Sequence, residues 1–247
     1  RAGRSILSNA AMHVGQQVVV NVDLKDFFPT LGYRRVRGLF RALGYPEAAA
    51  TVFSLLCTEP QTEEVELDGK RYFVAVSERR LPQGAPTSPA ITNVLCRRLD
   101  RRLTGMARAL GFRYTRYADD LTFSGSGASA SQVGRLLRRL ADIVKHEGFV
   151  IHPDKTRVLR RGRRQEVTGL VVNDKAAVPR ELRRRLRAVL FQLEKDGPAG
   201  KRWGEGTGSE HGDVIAAVLG YASHLYMVDP ARGGEALRRA RALWERH

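Results

Sequence analysis

The sequence predicts an α+β domain followed by a helical tail, and three observations support this fold class. A run of β-branched residues at 16–24, QQVVVNVDL, has the composition of a buried strand. Strand patterns then alternate with amphipathic helical patterns, whereas only helical patterns remain from Pro179 onward. The 247 residues, 43% of them apolar, are enough to form a hydrophobic core.

The first half of the chain contains strand and helix patterns separated by glycine or proline. In order, they are a helix or turn at 5–13, a buried strand at 16–24, helices at 33–43 and 48–57, a hairpin at 65–76 and a loop at 81–89. Gly44 is placed to end the helix before it, and Asp68-Gly69 supplies the turn of the hairpin.

The second half begins with the longest predicted helix and ends in three more. In order, the elements are an Arg-rich amphipathic helix at 91–110, a strand–turn–strand at 112–124, a helix at 131–147, short strands at 150–159 and 166–172, and helices at 180–193, 213–226 and 234–246. The Gly-rich segment at 197–212 is predicted to be a mobile loop.

The chain is strongly basic, with 42 Lys and Arg against 26 Asp and Glu and a formal net charge of +16. This excess indicates a polyanionic partner, nucleic acid first and an anionic membrane second, although a solvated basic surface has the same composition. No apolar run is long enough to span a membrane. Cys57 and Cys96 match neither a disulfide framework nor a zinc pattern. We therefore expect a cytoplasmic protein that does not act at a membrane.

Three acidic residues are candidates for a metal site. Asp23 ends the predicted buried strand, and Asp119-Asp120 form the tip of the predicted strand–turn–strand. Adjacent carboxylates repel each other, and a bound cation relieves the repulsion. Oxygen ligands without His or Cys suit Mg²⁺, and two such ions can drive phosphoryl transfer. An acidic pair is often only a turn, but the β-forming residues 121–123 favour a site gripped by buried strands.

Four motifs, in order, resemble those of reverse transcriptases. They are NVDLKDFFPTL at 21–31, LPQGAPTSPAITN at 81–93, YADD at 117–120 and GFVIHPDKT at 148–156. The resemblance implies a polymerase palm at 15–175, a small antiparallel sheet backed by helices, and a helical thumb at 176–247. It also implies RNA-directed addition of deoxynucleoside triphosphates (dNTPs) to a primer, with two Mg²⁺ ions and Mn²⁺ as a substitute.

Two further motifs are similar to signatures of retron reverse transcriptases. These are NAAMH at 9–13, within a segment at 1–14 that would end the fingers region, and VTG at 167–169. The resemblance implies copying of a structured non-coding RNA into single-stranded DNA (msDNA), with a 2′-hydroxyl of that RNA as primer. It further implies an RNA–DNA hybrid as a bound partner, an effector or toxin protein as another, and a role in anti-phage defence.

The resemblance assigns metal binding to the acids and one proton transfer to a lysine. Asp23 and Asp119 would hold the metals, with Asp120 close by and the Leu24 carbonyl as a further oxygen ligand. Lys155 would donate a proton to the leaving pyrophosphate, although a solvated surface lysine is an equal alternative.

Six residues would bind the nucleotide, and Leu24, also named for the metal, is the first of them. Phe28 would lie under the sugar and exclude the 2′-hydroxyl of ribonucleotides, while Phe27 beside it is more simply a core residue. Backbone amides of Asp26 and Phe27 would cradle the triphosphate. Gln83 and Gly84 would lie along the nascent base pair, where a glycine lets the backbone approach closely.

RNA contact is predicted at two basic runs and at the two retron-like motifs. The residues are Asn9, His13, Arg160, Arg161, Arg163, Arg164, Val167, Thr168, Gly169, Arg183, Arg184 and Arg187. The basic runs would follow the phosphates of the duplex. A solvated basic face, a capping Asn and a packed His are the simpler alternatives.

The sequence departs from the family pattern at its start, where few residues precede Asp23. We therefore expect the fingers to be largely absent from this chain and the chain alone to be weakly active or inactive. Two other functions stay open. One is a reverse transcriptase of the group II intron type or another bacterial type, and the other is an RNA-binding scaffold that holds a toxin or effector.

Overall fold

The structure, a computed structural model, describes residues 4–201, 203 and 211–246, with the backbone alone at 211–213. The chain forms two compact units. The sheet unit is Gln17–Leu159, and the terminal unit joins the segment up to Gln16 to the segment from Arg160 onward. The predicted division into 1–14, 15–175 and 176–247 stays a prediction, because compactness does not assign a palm or a thumb.

The elements confirm the predicted α+β class. The helices are α1 (Ile6–Ala11), α2 (Tyr33–Ala42), α3 (Glu47–Cys57), α4 (Ser88–Leu95), α5 (Arg97–Ala109), α6 (Val133–His146), α7 (Arg180–Asp196), α8 (His211–Val228) and α9 (Pro230–Arg246). The strands are β1 (Val18–Lys25), β2 (Thr62–Leu67), β3 (Lys70–Ala75), β4 (Arg113–Tyr117), β5 (Asp120–Gly125), β6 (Val150–Ile151), β7 (Arg157–Arg160), β8 (Glu166–Val167) and β9 (Leu170–Val171). Short 3₁₀ helices lie at Gly127–Ser131 and Pro153–Lys155.

An antiparallel sheet centred on β1 organises the sheet unit. Its order is β4–β5–β1–β6, and β7 also pairs with β1. Val18, Val19 and Val20 are completely buried, so both faces of the sheet are covered at that end. Farther along β1 the burial alternates, with Val22 and Leu24 buried and Asp23 partly accessible. The strand thus delivers Asp23 to an accessible face while its neighbours anchor the core.

Two helices, α5 and α6, supply much of the core of the sheet unit. Leu99 and Leu103 of α5 and Leu136 and Leu140 of α6 are at most 1% exposed. They repeat at the helical spacing of four residues, so each helix turns one apolar face inward. The Arg residues of both helices are exposed, except Arg102, which is half-buried.

The predicted single helix at 91–110 is wrong, because two helices, α4 and α5, meet at Cys96. Cys96 has φ −84° and ψ 6°, outside the helical range, and its N–H bonds to the carbonyls of Thr92 and Val94. Cys96 is 1% exposed, so the break lies in the core. The break begins a new helix whose first turn contains Asp100.

The hairpin predicted at 65–76 forms as β2 and β3. Asp68 and Gly69 have φ of 52° and 70°, the positive values that a type I′ turn needs. Every residue of both strands is exposed, so the hairpin depends on its turn and its backbone hydrogen bonds rather than on the core.

The two strands predicted at 150–159 and 166–172 are each divided. Pro153 has no amide hydrogen, and a 3₁₀ turn at Pro153–Lys155 separates β6 from β7. In the second case β8 and β9 form a hairpin whose turn is Thr168-Gly169, with φ of 47° and 81°. Strands of two residues are too short to produce a pattern in sequence.

The terminal unit contains α1, the β8–β9 hairpin and the three last helices. The helices predicted at 180–193, 213–226 and 234–246 are confirmed as α7, α8 and α9, each somewhat longer than predicted. Leu186, Leu190 and Leu193 bury one face of α7. Gly233 lets α9 approach α8, because a Cβ there would lie 2.4 Å from the backbone of Tyr226.

Two further expectations concern a loop and the membrane. Half of the predicted mobile loop at 197–212, residues 202 and 204–210, lies outside the described residues, and its last two residues belong to α8 rather than to a loop. Within the described part of the chain, every helix is too short or too polar to cross a bilayer.

Candidate active site

The predicted acidic turn closes the β4–β5 hairpin. Tyr117 and Asp120 are the last paired residues, and Ala118-Asp119 form the turn between them. Ala118 has a φ of 52°, a conformation that costs an L-residue about 1–2 kcal/mol. The Asp119 carbonyl accepts a hydrogen bond of 3.1 Å from the N–H of Leu24. The turn is therefore tied to the end of β1.

Asp23 and Asp120 lie directly opposite each other on β1 and β5. Side chains at such positions share one face, with Cβ atoms about 5 Å apart. Burial raises the pKa of Asp119, and the negative charge of Asp23 raises it further. Burial also raises the pKa of Asp120, followed by the charges of Asp119 and Asp23. Because Asp120 is exposed, solvent screens part of its shift.

A cleft of about 370 Å³ in the sheet unit brings most of the predicted catalytic and nucleotide-binding residues together. Those that line it are Asp23, Leu24, Asp26, Phe27, Phe28, Gln83, Asp119 and Lys155. Asp120 and Gly84 were also predicted but are not lining residues. Gly84 has a φ of 95°, and a Cβ added there would meet open space. Backbone conformation, rather than crowding, accounts for this glycine.

Lys155 lies beside Asp23 in the cleft. Its Nζ lies 3.4 Å from both carboxylate oxygens of Asp23, whose side chain is only 15% exposed. The lysine is the last residue of the 3₁₀ turn after β6, and the N–H of His152, which caps the start of that turn, donates to the Asp23 carbonyl (2.8 Å). The ammonium group therefore offsets part of the negative charge in the cleft.

The two phenylalanines after β1 differ in their surroundings. Phe27 is 3% exposed and packs against Phe149, with ring centroids 5.5 Å apart. Phe28 is partly accessible, lines the cleft and meets Phe27 edge to face at 5.4 Å. Asp26, at the start of this turn, has a φ of 48°, and its carbonyl accepts from the N–H of Thr30 (2.9 Å). Phe28 is thus the ring available to a ligand.

The donor set fits a hard divalent cation. Within the described residues, no three His, Cys, Asp or Glu side chains are grouped as a preformed metal cage. Mg²⁺ does not need one, because it is usually held by one or two carboxylates together with water and substrate phosphates. Asp23 and Asp119 supply such carboxylates at the cleft. The negative charge of Asp23 acts on Asp119, and a cation bound between them would offset that repulsion.

Sequence reasoning missed two residues beside the acids. His152 lines the cleft, and its Nδ1 is buried without a hydrogen-bond partner among the described residues. Arg116 donates from Nη1 to the Ala118 carbonyl (3.0 Å) and pairs with Asp100. The sequence offered one signal for this pair. Arg116 lies within the strand RYTRY, and Asp100 is the only acid in the basic helix segment RRLDRR.

The two retron-like motifs meet in the terminal unit. Helix α1 contacts β8 and β9, and the Thr168 hydroxyl donates to the Ile6 carbonyl (3.3 Å). His13 is 0% exposed and Val167 is 1% exposed, so both side chains belong to the core. In the part of the chain that the structure describes, the buried Nδ2 of Asn9 has no hydrogen-bond partner.

Most of the predicted RNA-binding arginines are accessible. Those classed as exposed are Arg160, Arg161, Arg163, Arg164, Arg184 and Arg187, and Arg183 is half-buried. Arg164 forms ion pairs with Glu166 (3.3 Å) and Glu181 (3.1 Å), which reduce its free charge. RNA contact by these residues stays a prediction.

Comparison with known proteins identifies the family. The family model "Reverse transcriptase (RNA-dependent DNA polymerase)" matches residues 1–179, so the chain belongs to the reverse transcriptase family. The sheet with its acidic turn is accordingly the polymerase palm, and a helical part follows it, as the resemblance implied. Members of this family generally use divalent metal ions.

The most similar curated relatives include three retron reverse transcriptases. Retron Mx162 reverse transcriptase of Myxococcus xanthus is 49% identical over 246 residues, which cover 94% of this chain and 49% of that protein. Retron Mx65 reverse transcriptase of the same organism is 52% identical over 77% of this chain and 44% of its own length. Retron Ec86 reverse transcriptase of Escherichia coli is 36% identical over 77% of this chain and 53% of its own length. This chain therefore spans about half the length of these relatives.

Among solved structures, apo telomerase from Candida tropicalis covers 70% of this chain and 38% of its own, at 11% identity and a TM-score of 0.47. That likeness is too weak to support a conclusion.

Proposed function

We propose that the cleft of the sheet unit catalyses RNA-directed DNA synthesis, adding dNTPs to a primer end. One observation carries the proposal. Asp23, opposite Asp120 on the sheet, and Asp119 in the adjoining turn face a cleft that also contains Phe28, Gln83 and Lys155. Family membership gives this arrangement its chemistry.

The residues of the cleft would have three roles, which are metal binding, proton donation and nucleotide selection. Two Mg²⁺ ions held by Asp23, Asp119 and the Leu24 carbonyl, with Asp120 close by, would supply Lewis acidity at the phosphorus. Lys155, 3.4 Å from Asp23 in the free protein, would exchange that partner for the triphosphate and protonate the leaving pyrophosphate.

Shape would select the nucleotide. The Phe28 ring would occupy the volume that a ribonucleotide 2′-hydroxyl needs. Gln83 and Gly84 would lie along the new base pair, and the amides of Asp26 and Phe27 would receive the triphosphate.

Primer extension tests the proposal. A DNA primer on an RNA template should be extended with dNTPs by the wild-type protein expressed from its complete gene, and Asp23→Asn in the same protein should abolish extension without loss of folding. Asp142→Asn removes an exposed carboxylate from α6 and should extend normally. Equal extension by wild type and Asp23→Asn would refute the assignment of the site.

We further propose that the enzyme is of the retron type. The observations that favour this are the packing of α1, which contains Asn9, against the β8–β9 hairpin of the VTG motif and the retron reverse transcriptases among its relatives. The substrate would be a structured non-coding RNA, primed from one of its own 2′-hydroxyls and copied into msDNA. Anti-phage defence with an effector or toxin partner would be its role.

The retron proposal is tested in cells that express the gene with its flanking DNA. Nucleic acid is extracted and run on a denaturing gel with and without RNase. A discrete DNA band that gains mobility after RNase supports a branched RNA–DNA product. Extension of an added primer without such a band would favour the group II intron type or another bacterial type. Full biological function in Asp119→Asn cells would favour the RNA-binding scaffold.

A further inference from the structure

A buried arginine connects the acidic turn to the helices behind it. The Arg116 side chain is 5% exposed. Its Nε and Nη2 donate to the two carboxylate oxygens of Asp100, both at 2.8 Å. Nη1 donates to the Ala118 carbonyl (3.0 Å) and Nη2 also to Asn93 Oδ1 (3.3 Å). One planar group thus joins the turn to α4 and α5.

The turn needs such support. Ala118 has a φ of 52° without being glycine, so the free turn would relax to another conformation. Each carbonyl of the turn accepts a hydrogen bond from a different element. The Ala118 carbonyl accepts from Arg116, and the Asp119 carbonyl accepts from the Leu24 N–H (3.1 Å). Together these bonds fix where Asp119 stands relative to Asp23.

The same guanidinium group supports the nucleotide side of the cleft. Its carbon lies 5.8 Å from the Phe27 ring centroid, and Phe27 in turn packs against Phe28 at 5.4 Å. Burial alone would lower the pKa of Arg116, but hydrogen bonding and the charge of Asp100 raise it on balance. The group therefore stays charged and bidentate.

We propose that Arg116, anchored by Asp100, is a positioning residue that sets the geometry of the metal-binding acids. The proposal rests on the proposed polymerase function and goes beyond it, because Arg116 itself need touch neither metal nor nucleotide. A purely stabilising ion pair is the competing explanation, since buried pairs can often be replaced by apolar residues without loss of stability.

Three variants separate positioning from stability. Arg116→Lys keeps the charge but loses the planar fork. Asp100→Asn combined with Arg116→Met replaces the pair by neutral groups, and the new Asn can still accept from the Tyr114 hydroxyl, which now bonds Asp100 at 2.9 Å. The control is Arg239→Lys, because Arg239 forms an equally bidentate pair with Glu194 at 2.8 Å.

The decisive measurement is Mn²⁺ binding, followed by the electron paramagnetic resonance signal of the free ion. Thermal melts measure the stability of each variant. We expect both Arg116 variants to bind Mn²⁺ about 10-fold or more weakly, as residues that orient metal ligands do. The control should match the wild type, and the double variant should melt near it. Equal Mn²⁺ binding by the wild type and the folded variants, including none in all of them, would overturn the proposal.

Primer extension gives a separate answer about the polymerase function. If the wild type extends a primer, the variants should lose kcat while the KM for dNTP changes little, because positioning acts on the reacting state. A variant with weaker Mn²⁺ binding, beside a wild type that is inactive even when expressed from its complete gene, would refute the polymerase function and leave the positioning role intact. Normal kcat in the folded double variant would refute the positioning role alone.

Discussion

Carboxylate crowding is the main feature of the site at the scale of single residues. Asp119 and Asp120 both have raised pKa values, chiefly because of burial and of neighbouring negative charge. The folded protein therefore binds their protons more tightly than the unfolded chain does. As pH rises above the ordinary value of 3.8, ionisation of these groups opposes folding. At neutral pH, these two carboxylates therefore lower the stability of the folded protein.

Asp120→Asn should therefore stabilise the metal-free protein at neutral pH. We expect a rise in Tm of about 1–3 °C, after allowance for solvent screening. The gain should shrink as pH falls toward 4, because the wild-type carboxyl is then protonated, and Mg²⁺ should reduce it as well. Thermal melts between pH 4 and 8, with Asp142→Asn as control, measure this. A clear loss of Tm in Asp120→Asn would contradict it.

Phe28 supports a second prediction at this scale. Phe28→Ala should raise the kcat/KM for ribonucleotides relative to dNTPs by roughly 10–100-fold, because the ring no longer fills the 2′ position. Extension with each nucleotide type measures the ratio. Phe73→Ala, on the exposed β3 strand (73% exposed), is the control. An unchanged ratio in Phe28→Ala would assign Phe28 to the core only.

At the scale of elements, the sequence predicts what depends on local pattern. The Val-rich run of β1 and the Asp68-Gly69 turn both form as predicted, because β-branching and positive φ act locally. The break at Cys96 was not predictable, since it arises where α4 and α5 pack in the core. Arg116 was missed for the same reason, because its partner Asp100 lies on α5, 16 residues away.

Helix α7 supports a prediction about RNA binding by an element. Alanine at both Arg184 and Arg187, which are exposed, should weaken RNA binding and lower the slope of log affinity against log salt by about 2. Titrations at several salt concentrations measure the slope. The control replaces Arg138 and Arg139, which are exposed on α6, by alanine and so removes the same charge as the α7 double variant. Identical slopes for the two double variants would mean that net charge alone acts.

At the scale of the whole molecule, the net charge and the candidate site have different roles in the proposal. The net charge of +16 favours a polyanion anywhere on the surface, whereas the proposed chemistry is confined to the cleft. The site acids could be predicted from the sequence, because four motifs in order mark them. The two compact units could not, because the segment up to Gln16 joins residues more than 140 positions away, beginning at Arg160.

The most direct test of the central claim is the rate of the first dNTP addition on an RNA template by the protein expressed from its complete gene, measured against Mg²⁺ concentration. For the wild type, this rate should rise with Mg²⁺ and saturate. Asp119→Asn should fold as well as the wild type and lose about 10³-fold or more of the rate. A wild-type rate independent of Mg²⁺, or an Asp119→Asn rate within a few-fold of wild type, would contradict the account.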